Sequence, residues 1–527
     1  MARTLRDAIR RLSGDRPPPE IAPEDVSALF DLRQRASADG TVDDRTWADL
    51  DMDAVVRAID RTASTPGVQC LYDRLRAPPD TAEEDARFDA AVALLRRDNA
   101  LALRIRRTLA PLRQRGAEAL PVLLLGPQPR RSRARWLYPL LPVAMVAAIA
   151  AMTVVPRAFF VVLALAIVNH GITLAHKGRM DAILPALRAV PRFTRAAHRL
   201  ASLDADELAA DVGAMRHNIH TLSPVRSGAR WLLFDPEASA DPLVGLFALL
   251  YSLINTVLLL NVIAYTRCVE QIRTRRGELL AVFEGVGMLD VYQAVASLHD
   301  SAGPWCIPER TPGRKYLQAE EVRHPLLARA VANSVTLDQS LLITGSNMSG
   351  KTTFVRTLGV AAIMARGIRT VAARAWHAPA FRVMSSIGRS DDLREGKSYY
   401  LAEVERIGQL LASRSGGVQH LFLLDEIFRG TNTDERVAAG KAVLAELDVG
   451  QDLVAVATHD LELLPLLESR YAAAHFREQV VQGELTFDYQ LRAGPSSTRN
   501  AIELLRVMHY PQSVVDDALQ TVARRHG

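Results

Sequence analysis

The stretch LLITGSNMSGKTTF, Leu341 to Phe354, decides the fold of the chain's second half, because it holds G-x-x-x-x-G-K-T from Gly345 to Thr352. Leu341-Leu342-Ile343 reads as a buried strand, and Phe354 to Met364 carries apolar residues at helical spacing. Strand, loop and helix thus follow in the order a phosphate-binding loop needs. Gly345 and Gly350 permit backbone conformations closed to other residues, so successive N–H groups can curl around a phosphate at the positive end of the helix. The loop residues Gly345, Ser346, Asn347, Met348, Ser349, Gly350, Lys351, Thr352 and Thr353 are the candidate nucleotide-binding set. Lys351 is placed to reach the outer phosphates, and the Thr352 hydroxyl to meet Mg²⁺.

Two later segments belong with it. In LFLLDEIFRGTNTDE, Leu421 to Glu435, four apolar residues make a second buried strand, and two carboxylates emerge where ligands bind in open α/β sheets. Asp425 is the candidate metal ligand, and Glu426 the candidate general base for an attacking water. A third strand, LVAVATHD from Leu453 to Asp460, delivers His459 to the same edge, within reach of a γ-phosphate.

The 527 residues allow two to four domains. A net charge of +5, carried mostly by Arg, suits phosphate-rich partners or an anionic membrane face, and equally a solvated surface. Cys70, Cys268 and Cys306 are far apart and lack metal-ligand spacing, which points to a reducing compartment without structural zinc. The first twenty residues contain no apolar segment of a cleavable leader, so export is not expected.

Residues 1–125 read as the helical start of a core, with a Pro78-Pro79 break. Residues 126–180 form a basic linker and a hairpin of two uncharged runs, Trp136 to Pro156 and Ala158 to Ala175. Each run approaches the length needed to cross about 30 Å of hydrocarbon. Arg130, Arg131, Arg133 and Arg135 precede the pair and Lys177 and Arg179 follow it, which puts both ends in the cytoplasm. The alternative is a pair of core helices in a cytoplasmic protein. Residues 181–304 continue the helical region, where the uncharged stretch 242–266 has the length of a third crossing or of a long core helix. Residues 305–500 form the α/β domain, and 501–527 a closing helical element.

TGSNMSGKTT resembles the nucleotide loop of the MutS family of DNA mismatch-repair ATPases, with Asn347 and Met348 the informative letters. EEVRHPLL (Glu320 to Leu327), SIGRSDDLREGKSYYLAEVERIGQLL (Ser386 to Leu411), LLDEIFRGTNTDE and ATHDLELL resemble other segments of that family, and the likeness covers residues 305 to 520. The stretch IDRTASTPGVQCLYDRLRAPPD resembles the start of its helical core. The resemblance implies an α/β P-loop NTPase domain of the ABC/MutS type after an all-α core and lever domain. It also implies ATP and Mg²⁺ as cofactors, a homodimer, Ser398 acting in trans on the partner's nucleotide, and a C-terminal dimer element.

The departures also count. The likeness begins at the core, and Phe476-Arg477-Glu478 is the one Phe-x-Glu found, inside the α/β domain rather than in a mismatch-reading wedge. Val335 stands where the family often has an aromatic against adenine, and Ser346 replaces the usual Pro. Base-specific mismatch reading is therefore not expected. The sequence favours a MutS-like ATPase on the cytoplasmic side of the cell membrane, tethered through 136–175 and binding DNA through phosphates. Arg104, Arg106 and Arg107, or Arg273, Arg275 and Arg276, are the candidate contacts. The alternatives are an ATP-driven membrane switch that organises unknown protein partners without DNA, and an ABC-type transport ATPase. For the last, the string SGGVQ at Ser415 to Gln419 lies too close to the Asp425 strand.

Overall fold

In the computed structural model, Leu341-Leu342-Ile343 lie on the strand Ser340–Thr344, every residue of which is buried. The structure describes residues 21–34, 41–113, 116–126, 136–223, 225, 253–255, 257–301, 303–346, 348–388, 399–414, 418–428, 431–481, 484–495 and 510–526. The chain divides into two compact units.

The first unit comprises residues 1–39, 60–73 and 90–300, and its described residues are helical. Its longest element, Ala158–Ala201, runs 44 residues, about 66 Å at the helical rise. The helix changes character along its length. Ala186, Leu187, Val190, Phe193, Ala197 and Leu200 are buried, and Phe193 stacks on Phe283 at 6.1 Å. In its apolar half, Phe160 is 68% exposed and Ile167 is 65% exposed. The helix Arg276–His299 is also long and apolar, but 78% of its most apolar window is buried, against 6% for Ala158–Ala201, so it is a core helix. Within that core Asp290 is fully buried and accepts from the backbone N–H groups of Ala63 and Ser64. Gly67 admits this approach, since a Cβ there would come 2.1 Å from the carboxylate.

The first run of the expected hairpin is shorter than its uncharged sequence. It forms the helix Leu140–Ala151, 12 residues or about 18 Å, rather than a crossing from Trp136 to Pro156. Prolines explain both ends. Pro139 is the N-cap and Pro142 sits in the first turn, where a missing N–H is harmless. Thr153-Val154-Val155 then leads into Pro156, which disfavours helix in the residue before it. This helix packs along Ala158–Ala201, so the two do pair as a hairpin.

Buried polar groups of the hairpin meet the third apolar segment. Asn169 donates from Nδ2 to the Val257 carbonyl at 2.6 Å. His176 lies edge-on between Tyr138 at 5.6 Å and Tyr265 at 6.3 Å. The third segment is broken: Leu259 is left-handed at φ +52°, helix Leu260–Thr274 starts after it, and Asn255 Oδ1 accepts the Asn261 N–H. Residues 242–252 of that segment, and the basic linker at 127–135, lie outside the described residues.

The second unit takes in residues 40–59 and 74–89 with 301–527, so the stretch expected as one helical part, 1–125, is divided. Specific polar contacts account for this. On helix Asp44–Asp49, the Asp49 carboxylate accepts from Ser385 Oγ at 2.8 Å and from the Ile387 N–H at 3.0 Å. Arg406 donates to the Ser385 carbonyl at 2.7 Å and to Thr46 Oγ1 at 2.9 Å.

The central sheet has six strands in the order Arg492–Ala493, Tyr471–His475, Ser340–Thr344, Leu453–Ala457, His420–Asp425 and Arg382–Ile387. All are parallel except the antiparallel edge strand Arg492–Ala493. Continuous apolar runs suit strands covered on both faces. The helix Lys351–Ile368 packs on this sheet so closely that a Cβ on Gly359 would stand 2.4 Å from Leu423 Cδ1. A separate four-stranded sheet is ordered Glu309–Arg310, Ala375–Ala378, Leu317–Val322 and Asn333–Leu337. At the C-terminus Gln512–His526 is helical, whereas residues 496–509 of the closing element lie outside the described residues.

Candidate functional site

Register brings the three sequence motifs to one edge. In the parallel sheet Ile343 lies opposite Ala457, and Ala457 opposite Asp425. Thr344, Asp425 and Ala457 therefore end their strands together, and the following residues, Gly345, Glu426 and Thr458-His459, leave the sheet at the same rim. Backbone bonds from Glu426 N–H to the Ala457 carbonyl (2.8 Å) and from Thr458 N–H to the Ile343 carbonyl (2.9 Å) extend the ladder into these turns.

Gly345 takes φ +139°, and a Cβ there would meet the Phe476 carbonyl oxygen at 2.5 Å. Gly350, at φ +109°, is the N-cap of helix Lys351–Ile368. Within the curve so formed, Lys351 Nζ donates to the carbonyls of Gly345 (2.6 Å) and Ser346 (2.8 Å). Ser349 is buried, Met348 is exposed at φ +70°, and Thr353 is exposed beside the cavity. Asn347 lies outside the described residues. The Thr352 hydroxyl donates to Asp425 Oδ2 at 2.8 Å, a pairing of hard oxygen donors that suits Mg²⁺. A helix N-terminus, a lysine and such an oxygen pair together fit a nucleotide phosphate with its cation.

Glu426 continues from Asp425 in the left-handed region at φ +51°, and Phe428 repeats this at +61°. Neither is glycine, and each such residue costs ~1–3 kcal/mol, a pattern typical of functional turns. The Glu426 carboxylate lies 3.2 Å from His459 Nδ1. The adjoining Asp460 is held by Arg436 through two bonds, 2.9 and 2.7 Å. Arg436 stands on helix Thr433–Leu447, whose N-cap Asn432 accepts the Glu435 N–H. Ser398, expected to act in trans, lies outside the described residues.

Ser346, Lys351, Thr352, Thr353 and Glu426 border a cavity of about 720 Å³, within the range of small-molecule sites. Its apolar wall includes Leu327, Ala330 and Val331, whereas Val335 lies opposite Ala319 in a strand ladder. Val335 is not among the residues that line the cavity, where the chain runs along it before its strand begins at Asn333. His324 also lines the cavity; burial, with the Arg356 guanidinium, holds its pKa below the usual histidine value. Its Nδ1 accepts the Leu326 N–H at 3.3 Å.

Sequence reading missed Tyr489, which lines the cavity from far along the chain. Asn333 clamps it, donating to the Tyr489 carbonyl at 3.0 Å and accepting the Leu491 N–H at 2.7 Å. Phe476 and Glu478, the Phe-x-Glu pair, support the loop: Phe476 packs edge-on against Phe354 at 5.9 Å, and Glu478 accepts the Ser346 hydroxyl. The pair is thus built into this domain, where the sequence located it.

The family model described as MutS domain V matches residues 341–525. The DNA mismatch repair protein MutS of Thermus aquaticus is 35% identical over 245 residues, covering 45% of this chain and 30% of that protein. MutS of Thermus thermophilus is 32% identical over 248 residues, again 45% and 30%. The DNA mismatch repair protein MutS 2 of Halobacterium salinarum is 31% identical over 244 residues, 44% and 27%. The matched region therefore spans less than a third of each of these relatives' lengths.

Proposed function

The C-terminal half of the chain belongs to the MutS family, and from that premise we propose that the protein is a MutS-type ATPase, working as a dimer at the cytoplasmic face of the cell membrane and coupling ATP hydrolysis to DNA binding. The carrying observation is that Lys351, Thr352 and Glu426 line one cavity at one rim of the sheet, with Asp425 bonded to Thr352 and His459 beside Glu426.

In the proposed reaction Lys351 binds the outer phosphates, and the helix N-terminus after Gly350 adds its partial positive charge. Thr352 and Asp425 would hold Mg²⁺, which supplies charge neutralisation on the phosphates. Glu426 orients a water and takes its proton as the water oxygen bonds to the γ-phosphorus. The bond to the β–γ bridging oxygen breaks, and ADP leaves with that electron pair. His459 holds the Glu426 carboxylate toward the cavity, and Ser398 would complete the site in the partner subunit.

Membrane attachment is supported by the hairpin's surface: Val143, Val146, Phe160, Val161 and Ile167 are each more than half exposed and come from two paired apolar helices. Asn169 Nδ2 donates there to the Val257 carbonyl and His176 Nδ1 meets the Ile172 carbonyl, partners of the kind that polar groups in hydrocarbon need.

For DNA, Arg104 and Arg107 are exposed, whereas Arg273 is engaged by Glu270 at 2.7 Å. The buried-face spacing of the long helix also leaves Arg192, Arg195 and Arg199 together on its outer side. Binding of labelled duplex, branched and single-stranded DNA, with and without ATP, tests this reading. Affinity that falls steeply with salt supports it. No retention even at low salt, with ATP hydrolysis intact, would leave the membrane-anchored switch without DNA as the better description.

A further inference from the structure

Through its own N–H groups the turn that carries Glu426 has, among the described residues, two anchors. One is the sheet, through the Glu426 N–H to the Ala457 carbonyl at 2.8 Å. The other is a side chain: the Phe428 N–H donates to Glu403 Oε1 at 2.6 Å. Glu403 stands on helix Tyr399–Ala412, and Tyr400 of the same helix lies 6.3 Å, ring to ring, from Phe428. Between these anchors the chain passes through φ +51° at Glu426 and +61° at Phe428, conformations that side-chain-bearing residues leave readily unless held.

We propose that Glu403 is a positioning residue for hydrolysis: by accepting the Phe428 N–H it fixes the left-handed turn from which Glu426 addresses the attacking water. Glu403 does not touch the reacting atoms. Its carboxylate makes a charge-assisted bond to a backbone donor, stronger than a neutral acceptor would make. Losing it lets the turn relax and moves the Glu426 carboxylate from its place beside His459. A displacement near 1 Å is enough to slow a reaction about a hundredfold. Phosphate binding, which depends on Lys351 and the loop on another strand, is left in place. The inference rests on the ATPase reading.

The test compares wild type, E403A, E403Q and E403D in the full-length protein, measuring kcat and KM for ATP and, separately, affinity for a fluorescent ATP analogue. The expected result for E403A is kcat reduced about 10- to 100-fold with analogue affinity within about twofold of wild type. E403Q, which keeps an acceptor oxygen at the same reach, recovers to within a few-fold. E403D, whose oxygen is withdrawn by one methylene, resembles E403A and serves in its place should E403A not fold. Wild-type kcat in both E403A and E403D, or a loss of analogue affinity matching the loss of kcat, overturns the proposal. A wild-type protein that binds the analogue but never hydrolyses ATP removes the ATPase reading itself. That outcome is distinct from hydrolysis that is indifferent to Glu403.

Discussion

The Thr352 hydroxyl donates to Asp425 Oδ2 across 2.8 Å, joining the start of the loop helix to the end of a neighbouring strand. One residue on, Glu426 faces His459 at 3.2 Å. The pair proposed to bind the metal and the pair proposed to orient the base are thus adjacent in sequence yet distinct in chemistry, and substitutions should separate them.

Asp425→Asn and Thr352→Ala act on the first pair. Each should raise the Mg²⁺ concentration needed for half-maximal ATP turnover by about tenfold or more, since a charged or hard oxygen ligand is lost. A magnesium titration of steady-state hydrolysis reads this. An unchanged titration midpoint in both variants excludes the pair as the metal site.

His459→Ala acts on the second pair. Turnover should drop on the order of 10²-fold while ATP affinity changes little, if the imidazole orients Glu426 as proposed rather than contacting the γ-phosphate. Equilibrium nucleotide binding alongside kcat separates the two effects. Loss of affinity equal to the loss of rate would make His459 a binding residue instead.

Much of this site was legible in the sequence, because the chemistry-bearing residues directly follow buried apolar strands. Leu341 to Ile343, Leu421 to Leu424 and Leu453 to Ala457 could hardly be anything but central parallel strands, and their ends define the rim. Tyr489 was not legible, since its place beside Gly350 depends on a clamp by Asn333 across 156 residues of chain. Nor was the attachment of residues 40–59 to the α/β unit, which rests on buried Asp49 and Arg406 contacts rather than on any periodicity. The hairpin was readable as uncharged sequence. The length of its first helix was set by Pro139, Pro142 and Pro156, whose effect a count of charges ignores.

The hairpin predicts fractionation. Expressed protein should sediment with membranes and resist release by high salt. Phe160→Glu with Ile167→Glu should shift it toward the soluble pool, each buried charge costing ~2.5–3.5 kcal/mol at mid-bilayer. Recovery of the wild-type protein in the soluble fraction without detergent contradicts the tether.

The outer face of the long helix predicts a salt effect. Replacing Arg192, Arg195 and Arg199 by Gln should weaken DNA binding about equally across sequences. The slope of log affinity against log salt should become shallower by up to about 2.7, at about 0.9 per phosphate contact. Binding isotherms over a salt series measure it, and an unaltered slope assigns that face to solvent.

Asp290 predicts a pH dependence in the helical unit. Burial raises its pKa to about 6, against the lowering effect of bonds from Ala63, Ser64 and Gln293. Between about pH 4 and 6 the folded chain therefore keeps a proton that the unfolded chain releases, so this group's contribution to stability falls as pH rises through that window. Relative to Asp290→Asn, wild type should gain about 1.4 kcal/mol on going from pH 7 to pH 5. Denaturant titration of both proteins at the two pH values checks the sign; no difference between them would mean that the Asp290 pKa is not raised, and a loss on acidification that it is lowered.

The most direct single measurement is ATP turnover by the purified full-length protein beside its Glu426→Gln variant, with bound nucleotide quantified in both. Magnesium-dependent release of phosphate by wild type, and a variant that retains ATP while turnover falls by orders of magnitude, is the predicted result. Equal turnover in the two proteins, or no ATP held by either, contradicts it.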